Sequence, residues 1–250
     1  MSLTRERETL RSEISAFCKK LVLSQRAVTL CETEATPKQE EFLHRVLAEE
    51  MESRERSRRS RLMSRAGFPV YKTLDGYDRH GVKLPLSLQW SDLTEGTFIQ
   101  GRRNLVLYGP VGTGKTHLAI ATRLRACELG MTVKFYTVAE LVMRLAEAKR
   151  AGTLERLMTE IQRTQLLILD EWGYIPVDKE GSQLLFRVIA DSYESRSLVI
   201  TTNLEFSKWG SVFTDDQMAA AMIDRLAHYG HLLVFEGESY RMKHALMKER

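Results

Sequence analysis

The sequence predicts an α/β fold: a parallel five-stranded sheet covered by helices on both faces, preceded by a small helical domain. Three observations carry this prediction. From residue 101 onward, short wholly apolar runs alternate with helix-length segments, the pattern of strands buried on both faces. Residues 1–65 instead repeat apolar positions at helical spacing and contain no strand-like run. A glycine-rich G-x-x-x-x-G-K-[ST] stretch joins the first apolar run to a helix.

The elements follow in chain order. Leu10, Ile14, Phe17 and Leu21 recur on one helix face. Thr36-Pro37-Lys38-Gln39 starts a second helix: Thr36 can cap, Pro37 suits the first helical position, and Gln39 can close a capping box. Phe42, Leu43, Val46, Leu47 and Met51 form its apolar stripe. Residues 66–100, punctuated by Gly67, Pro69, Gly76, Gly81, Pro85 and Gly96, read as mostly linker and loop with one short helix. Strands are expected at 104–108, 132–136, 166–169, 198–201 and 232–235. Helices are expected at 115–129, 138–150, 153–162, 179–194 and 215–227.

Composition narrows the class. The 250 residues are 43% hydrophobic and 28% charged, which excludes wholesale disorder and low complexity. Cys18, Cys31 and Cys127 are too few and too scattered for a disulfide framework or a zinc knuckle, and read as buried or idle thiols in a reducing compartment. No apolar run is long enough to span a membrane, and the acidic N-terminus is unlike a signal peptide, so a cytoplasmic location is expected. The net charge of +4 is uneven: residues 1–65 hold 14 Arg and Lys against 11 Asp and Glu. Arg54, Arg56, Arg58, Arg59, Arg61 and Arg65 stand against Glu55 alone within 53–65. Such a stripe is either a solvated helix face or a contact for DNA phosphates. With few aromatics interleaved, it suits duplex backbone better than stacked single-strand bases.

The chemistry concentrates after residue 108. Gly109-Pro110-Val111-Gly112-Thr113-Gly114-Lys115-Thr116 matches the P-loop pattern in full, in strand–loop–helix context. Its glycines let backbone N–H groups face a phosphate, and the helix N-terminus adds positive potential. Lys115 would reach the β- and γ-phosphates of ATP, and the Thr116 hydroxyl would hold Mg²⁺. Asp170 and Glu171 follow four apolar residues, at the strand end where ligands of parallel sheets bind. Asp170 would hold Mg²⁺ through water, and Glu171 would act as general base on the attacking water. Asn203 ends the next strand, expected beside the P-loop strand, and can hydrogen-bond the γ-phosphate or the water.

In this order the P-loop, Asp170-Glu171 and Asn203 resemble the Walker A, Walker B and sensor 1 motifs of AAA+ ATPases. The wording Leu-Tyr-Gly-Pro-Val-Gly-Thr-Gly-Lys-Thr-His-Leu-Ala, Leu-Asp-Glu-Trp-Gly-Tyr-Ile-Pro and Ile-Thr-Thr-Asn-Leu resembles the DnaC/IstB group over roughly residues 66–250, and most of all its IstB branch. The resemblance implies ATP-dependent assembly of the chain with itself on duplex DNA and delivery of that DNA to an IstA-type transposase. It places Arg225, in Ile-Asp-Arg-Leu, as an arginine finger for a neighbouring subunit, and Arg241, in Ser-Tyr-Arg, as the sensor 2 residue. With 25 residues after Arg225, a full helical lid domain is not expected. The implied organisation is 1–65 for DNA binding and assembly, 66–100 as linker and start of the ATPase domain, and 101–250 as the AAA+ domain. A replicative helicase loader of the DnaC type shares nearly all these residues and is the alternative. A nucleotide-dependent binding module without turnover fits less well, because Glu171 would have no task.

Overall fold

The computed structural model describes residues 2–66, 72–213 and 215–243. Its contacts divide the chain into two units, Met1–Arg61 and Leu62–Arg250. Gly67 and Pro69 lie outside the described residues, as does the side chain of Arg65. Among the described residues no helix is long and apolar enough to cross a membrane.

The first unit contains α1 (Ser2–Lys20), α2 (Gln25–Glu34) and most of α3 (Pro37–Ala66). Ile14, Cys18, Leu21, Val28 and Leu47 form its core, flanked by Leu10, Phe17, Cys31, Leu43 and Met51. The helical face expected in α1 is therefore the packed one. Helix α2 was not expected; Ser24 caps it by accepting the Ala27 N–H. At the start of α3, Gln39 Oε1 accepts the Thr36 N–H at 2.9 Å, one half of the expected capping box. Phe42 and Val46, expected in the buried stripe, are exposed. The stripe is narrower than the sequence suggests, because Leu43, Leu47 and Met51 at four-residue spacing already fill the contact with α1 and α2.

The second unit is built on a mixed sheet ordered β1-β6-β2-β5-β4-β3. Its strands are β1 (Val82–Lys83), β2 (Asn104–Tyr108), β3 (Val133–Thr137), β4 (Leu166–Trp172), β5 (Ser197–Thr202) and β6 (Gly230–Phe235). Strands β2 to β6 run parallel, as the sequence predicts. The five-stranded expectation is corrected by β1, which adds antiparallel to the edge of β6, pairing Val82 with Phe235 and Lys83 with Val234. Two residues are too short to register as a periodic pattern.

Residues 66–100 also do more than link. They form α4 (Trp90–Glu95) and α5 (Thr97–Gln100), and they bury Leu88, Leu93, Phe98 and Ile99 against Leu105, Leu107 and Leu118. The other helices are α6 (Lys115–Glu128), α7 (Val138–Arg150), α8 (Leu154–Gln162), α9 (Lys179–Ser192), α10 (Trp209–Phe213), α11 (Asp216–His228) and α12 (Tyr240–Lys243). Strand β4 explains the layers. Leu166 and Ile168 enter the core under α4, α5 and α6, while Leu167 and Leu169 enter the core under α7, α9 and α11. Side chains alternate along a strand, so a continuous apolar run serves two cores. Truncating Leu167 to Ala would cost about 2–5 kcal/mol.

Candidate nucleotide site

The parallel sheet brings three strand ends together. Strand β2 leads into the glycine-rich loop, β5 pairs with β2, and β4 pairs with β5. Residues 109–116, 170–171 and 203 therefore converge at one carboxyl edge, where parallel sheets bind ligands.

The loop must be glycine at its tight points. Gly109 and Gly112 have φ of 153° and 83°. A Cβ on Gly109 would strike the Phe235 carbonyl, and one on Gly112 would strike Ser239. The loop ends at Gly114, and α6 begins with Lys115. Lys115 is 5% exposed. Its ammonium donates to the Gly109 carbonyl at 2.7 Å and the Pro110 carbonyl at 2.6 Å. An ammonium has three donors, so one more can meet a phosphate. Burial pushes the Lys115 pKa down to about 8, with Asp170 pulling it up and Arg241 pushing it further down.

Asp170 is 4% exposed. Its Oδ1 accepts from the Thr116 hydroxyl at 3.0 Å and from the Thr201 hydroxyl. Thr116 and Asp170 are thus adjacent hard oxygen donors of the kind Mg²⁺ takes. Glu171 is exposed and has a φ of 63°, a left-handed conformation that costs a non-glycine residue about 1–3 kcal/mol. Asn203 follows β5, and its Oδ1 is buried without a hydrogen-bond partner among the described residues. A buried orphan acceptor needs a donor, and a water or ligand at this edge would supply one. Glycine cradle, lysine, paired oxygens and orphan amide together fit a magnesium-bound nucleoside triphosphate.

The two arginines lie differently. Arg241 is on α12, whose Tyr240 N–H donates to the Gly112 carbonyl at 3.0 Å. Its charge acts on both Lys115 and Tyr174, so it belongs to the surroundings of the loop. Arg225 is apart from it. The next residue, Leu226, accepts from the Asn104 side chain at 3.3 Å, at the opposite end of β2 from the loop. The Arg225 guanidinium donates to the Ala221 carbonyl at 2.8 Å and lies 5.2 Å from the Phe186 ring centroid. It does not join the loop of its own chain.

In the basic stripe of α3, Arg54 pairs with Glu50, Arg56 with Glu49 and Glu52, and Arg59 with Glu55. Among the described residues Arg58 and Arg61 have no carboxylate partner; Arg61 donates to the Ser57 carbonyl.

Sequence reasoning missed three contributors. Tyr77 reaches the Gly114 carbonyl at 3.4 Å, and burial raises its pKa. Ser239 packs on Gly112. Thr201 joins Asp170 to the backbone of Glu171. The Thr201-Thr202 pair directly before Asn203 was the available signal for the last, since polar side chains in a buried strand require partners.

Known proteins resemble this chain in sequence and in fold. A family model described as IstB-like ATP binding protein matches residues 18–248. An insertion sequence IS21 ATP-binding protein of Pseudomonas aeruginosa is 36% identical over 206 residues, covering 81% of this chain and 77% of that protein. The corresponding protein of insertion sequence IS5376 from Geobacillus stearothermophilus is 31% identical over 245 residues, covering 96% and 98%. Among solved structures, the DnaC helicase loader superposes with a TM-score of 0.53 at 22% identity, over 66% of this chain and 96% of that one. AMPPCP-bound DnaA from Aquifex aeolicus gives 0.56 at 20% identity, over 70% and 53%. These structures share the AAA+ P-loop fold. With its glycine-rich loop, carboxylate pair and sheet order, the chain belongs to the family of IstB-like ATP-binding proteins.

Proposed function

We propose that the chain is an ATPase that assembles with copies of itself on duplex DNA and helps a transposase select its target. The observation that carries hydrolysis is the division of labour at the end of β4. Asp170 is buried and tied to Thr116, while Glu171 is turned out with its carboxylate exposed. In this reading Lys115 grips the terminal phosphates, and Thr116 and Asp170 hold Mg²⁺. Bound Mg²⁺ supplies neutralisation of the phosphate charge. Glu171 takes the proton of the attacking water, whose second O–H the Asn203 Oδ1 accepts. Arg241 covers the loop, and Arg225 serves the site of a neighbouring copy.

The transposition role is supported by relatives whose names place them in insertion sequences. DNA contact through Arg54, Arg56, Arg58, Arg59 and Arg61 is supported by their charge and exposure. The helicase-loader reading ranks second, since the DnaC likeness at 22% identity concerns the fold alone.

Glu171→Gln tests the catalytic half. The amide keeps the shape and cannot accept a proton, and a general base is worth about 10²–10⁴ in rate. The variant should bind ATP as tightly as wild type, fail to hydrolyse it, and persist on duplex DNA in the ATP-bound state. Wild-type turnover would remove Glu171 from its role.

A further inference from the structure

We infer that Thr201 is a positioning residue for hydrolysis: its hydroxyl sets the backbone of Glu171 and so aims the general base. The inference rests on the ATPase reading above and extends it to a residue outside the motifs.

Strand register isolates the residue. Leu169 pairs with Ile200, and Trp172 pairs with Thr202. Asp170 and Glu171 therefore stand opposite Thr201 alone, two residues against one. This is a β-bulge, a device that re-aims a side chain and leaves a backbone group without its ladder partner. Here the Thr201 side chain supplies that partner. Its Oγ1 accepts the Glu171 N–H at 3.0 Å and donates to Asp170 Oδ1. One hydroxyl has one proton, so it can give to the carboxylate and accept from the amide at once. The next residue repeats the device: the Thr202 hydroxyl donates to the Trp172 carbonyl at 2.9 Å and accepts the Leu204 N–H at 3.0 Å.

Two facts give the hydroxyl a task beyond packing. Thr201 is 2% exposed, in a strand whose preceding residues Leu198, Val199 and Ile200 are buried and apolar. Valine would fill this place with the same shape and no polar group to satisfy. Glu171 also holds its left-handed φ of 63° without being glycine or asparagine. Such a conformation persists where its surroundings over-determine it, and the hydrogen bond from its own N–H to Thr201 is the fixed point that holds it. Without that bond the backbone is free to relax, and the carboxylate swings with it. Lys115, which grips the phosphates, bonds to the Gly109 and Pro110 carbonyls rather than to Thr201, and Asp170 keeps its bond from Thr116 when Thr201 loses its hydroxyl, so binding and turnover should separate.

The test uses the full chain with duplex DNA and ATP. Thr201→Val should lower kcat about tenfold to a hundredfold, the scale of a misplaced reacting group, with ATP affinity within about twofold of wild type. Thr201→Ser, which restores the hydroxyl, should recover kcat to within about threefold. A thermal melt accompanies each variant, and if Val unfolds the chain, Thr201→Ala replaces it under the same criteria. The inference is overturned if the hydroxyl-free variant keeps wild-type kcat, if Ser performs no better than it, or if kcat and ATP affinity fall together. Glu171→Gln is run alongside. If it turns over normally, the base reading fails and this inference with it. If it is inactive while Thr201→Val is normal, the positioning role alone fails.

Discussion

Thr116, at the start of α6, donates its hydroxyl to Asp170 at the end of β4 across 3.0 Å, although β5 separates β2 from β4 in the sheet. The bond crosses the edge at which the glycine-rich loop and the carboxylate pair converge. It joins the phosphate-binding and hydrolytic halves of the proposed site.

Lys115 should control nucleotide affinity in a pH-dependent way. Lys115→Ala should abolish tight ATP binding, measured by titration with a fluorescent analogue. In the wild-type chain, burial lowers the free-state pKa to about 8, and phosphate charge raises it in the bound state. Binding then takes up a proton above about pH 8, and affinity should weaken there with a slope approaching tenfold per pH unit. The sign for stability is opposite. The unfolded lysine titrates near about 10.4, so the unfolded chain binds more protons between the two values, and this group makes the fold more stable as pH rises through that window. Flat affinity from about pH 7.5 to 9.5 would count against the buried-ammonium description.

The arginine stripe should be unequal along its length. Arg54, Arg56 and Arg59 already face glutamates, whereas among the described residues Arg58 and Arg61 face none. Each phosphate that is no longer neutralised should flatten the slope of log affinity against log salt by about 0.9. Replacing Arg58 and Arg61 by Ala should therefore flatten it by nearly twice that amount, and adding Arg56 and Arg59 should change it less per residue. ATP binding should be unaffected. A slope unchanged in the fourfold variant would favour a merely solvated face.

Arg225 should act between subunits. Its backbone lies at the opposite end of β2 from its own loop, and an arginine supplied in trans is worth about 10³–10⁵ in rate. Hydrolysis should rise more steeply than linearly with protein concentration, and Arg225→Ala should bind ATP yet hydrolyse poorly. Mixing Arg225→Ala with Lys115→Ala should restore part of the activity, because some interfaces pair an intact loop with an intact finger. A mixture that co-assembles and stays inactive rules out the finger.

Glu40 should anchor the helical unit. Its carboxylate is 1% exposed and accepts from Arg7 at 2.8 and 3.0 Å and from Arg11 at 2.7 Å. The hydrogen bond from Arg7 is the leading cause that holds its pKa below the usual range, with burial opposing and Arg11 adding to it. A depressed carboxyl pKa stabilises above the unfolded value of about 4.3 and loses that contribution as pH falls through the folded value. With both arginines partly exposed, Glu40→Gln should cost about 1–2 kcal/mol. Hydrogen exchange of α1 to α3 in the full chain would report it, and unchanged protection would refute it.

By itself the sequence determined what depends on neighbours along the chain. Five apolar runs gave the parallel strands, and eight consecutive residues spelled the loop, because its glycines and lysine act through local backbone geometry. Asp170, Glu171 and Asn203 were legible as strand-end residues for the same reason. The tertiary structure decided what depends on register and distant contact. Strand β1 and the buried Leu88, Leu93, Phe98 and Ile99 emerged from a stretch that reads as linker, since two paired residues and scattered apolar positions leave no period. Phe42 and Val46 turned outward because three helices offer a core too narrow for the whole stripe. Tyr77 on Gly114, Ser239 on Gly112 and Thr201 between Asp170 and Glu171 bring together groups separated by about thirty to more than a hundred residues. No local pattern encodes such pairs. The last exists because parallel strands, each reached by a long crossover, set their ends side by side, where one hydroxyl can satisfy a carboxylate and a displaced backbone amide together.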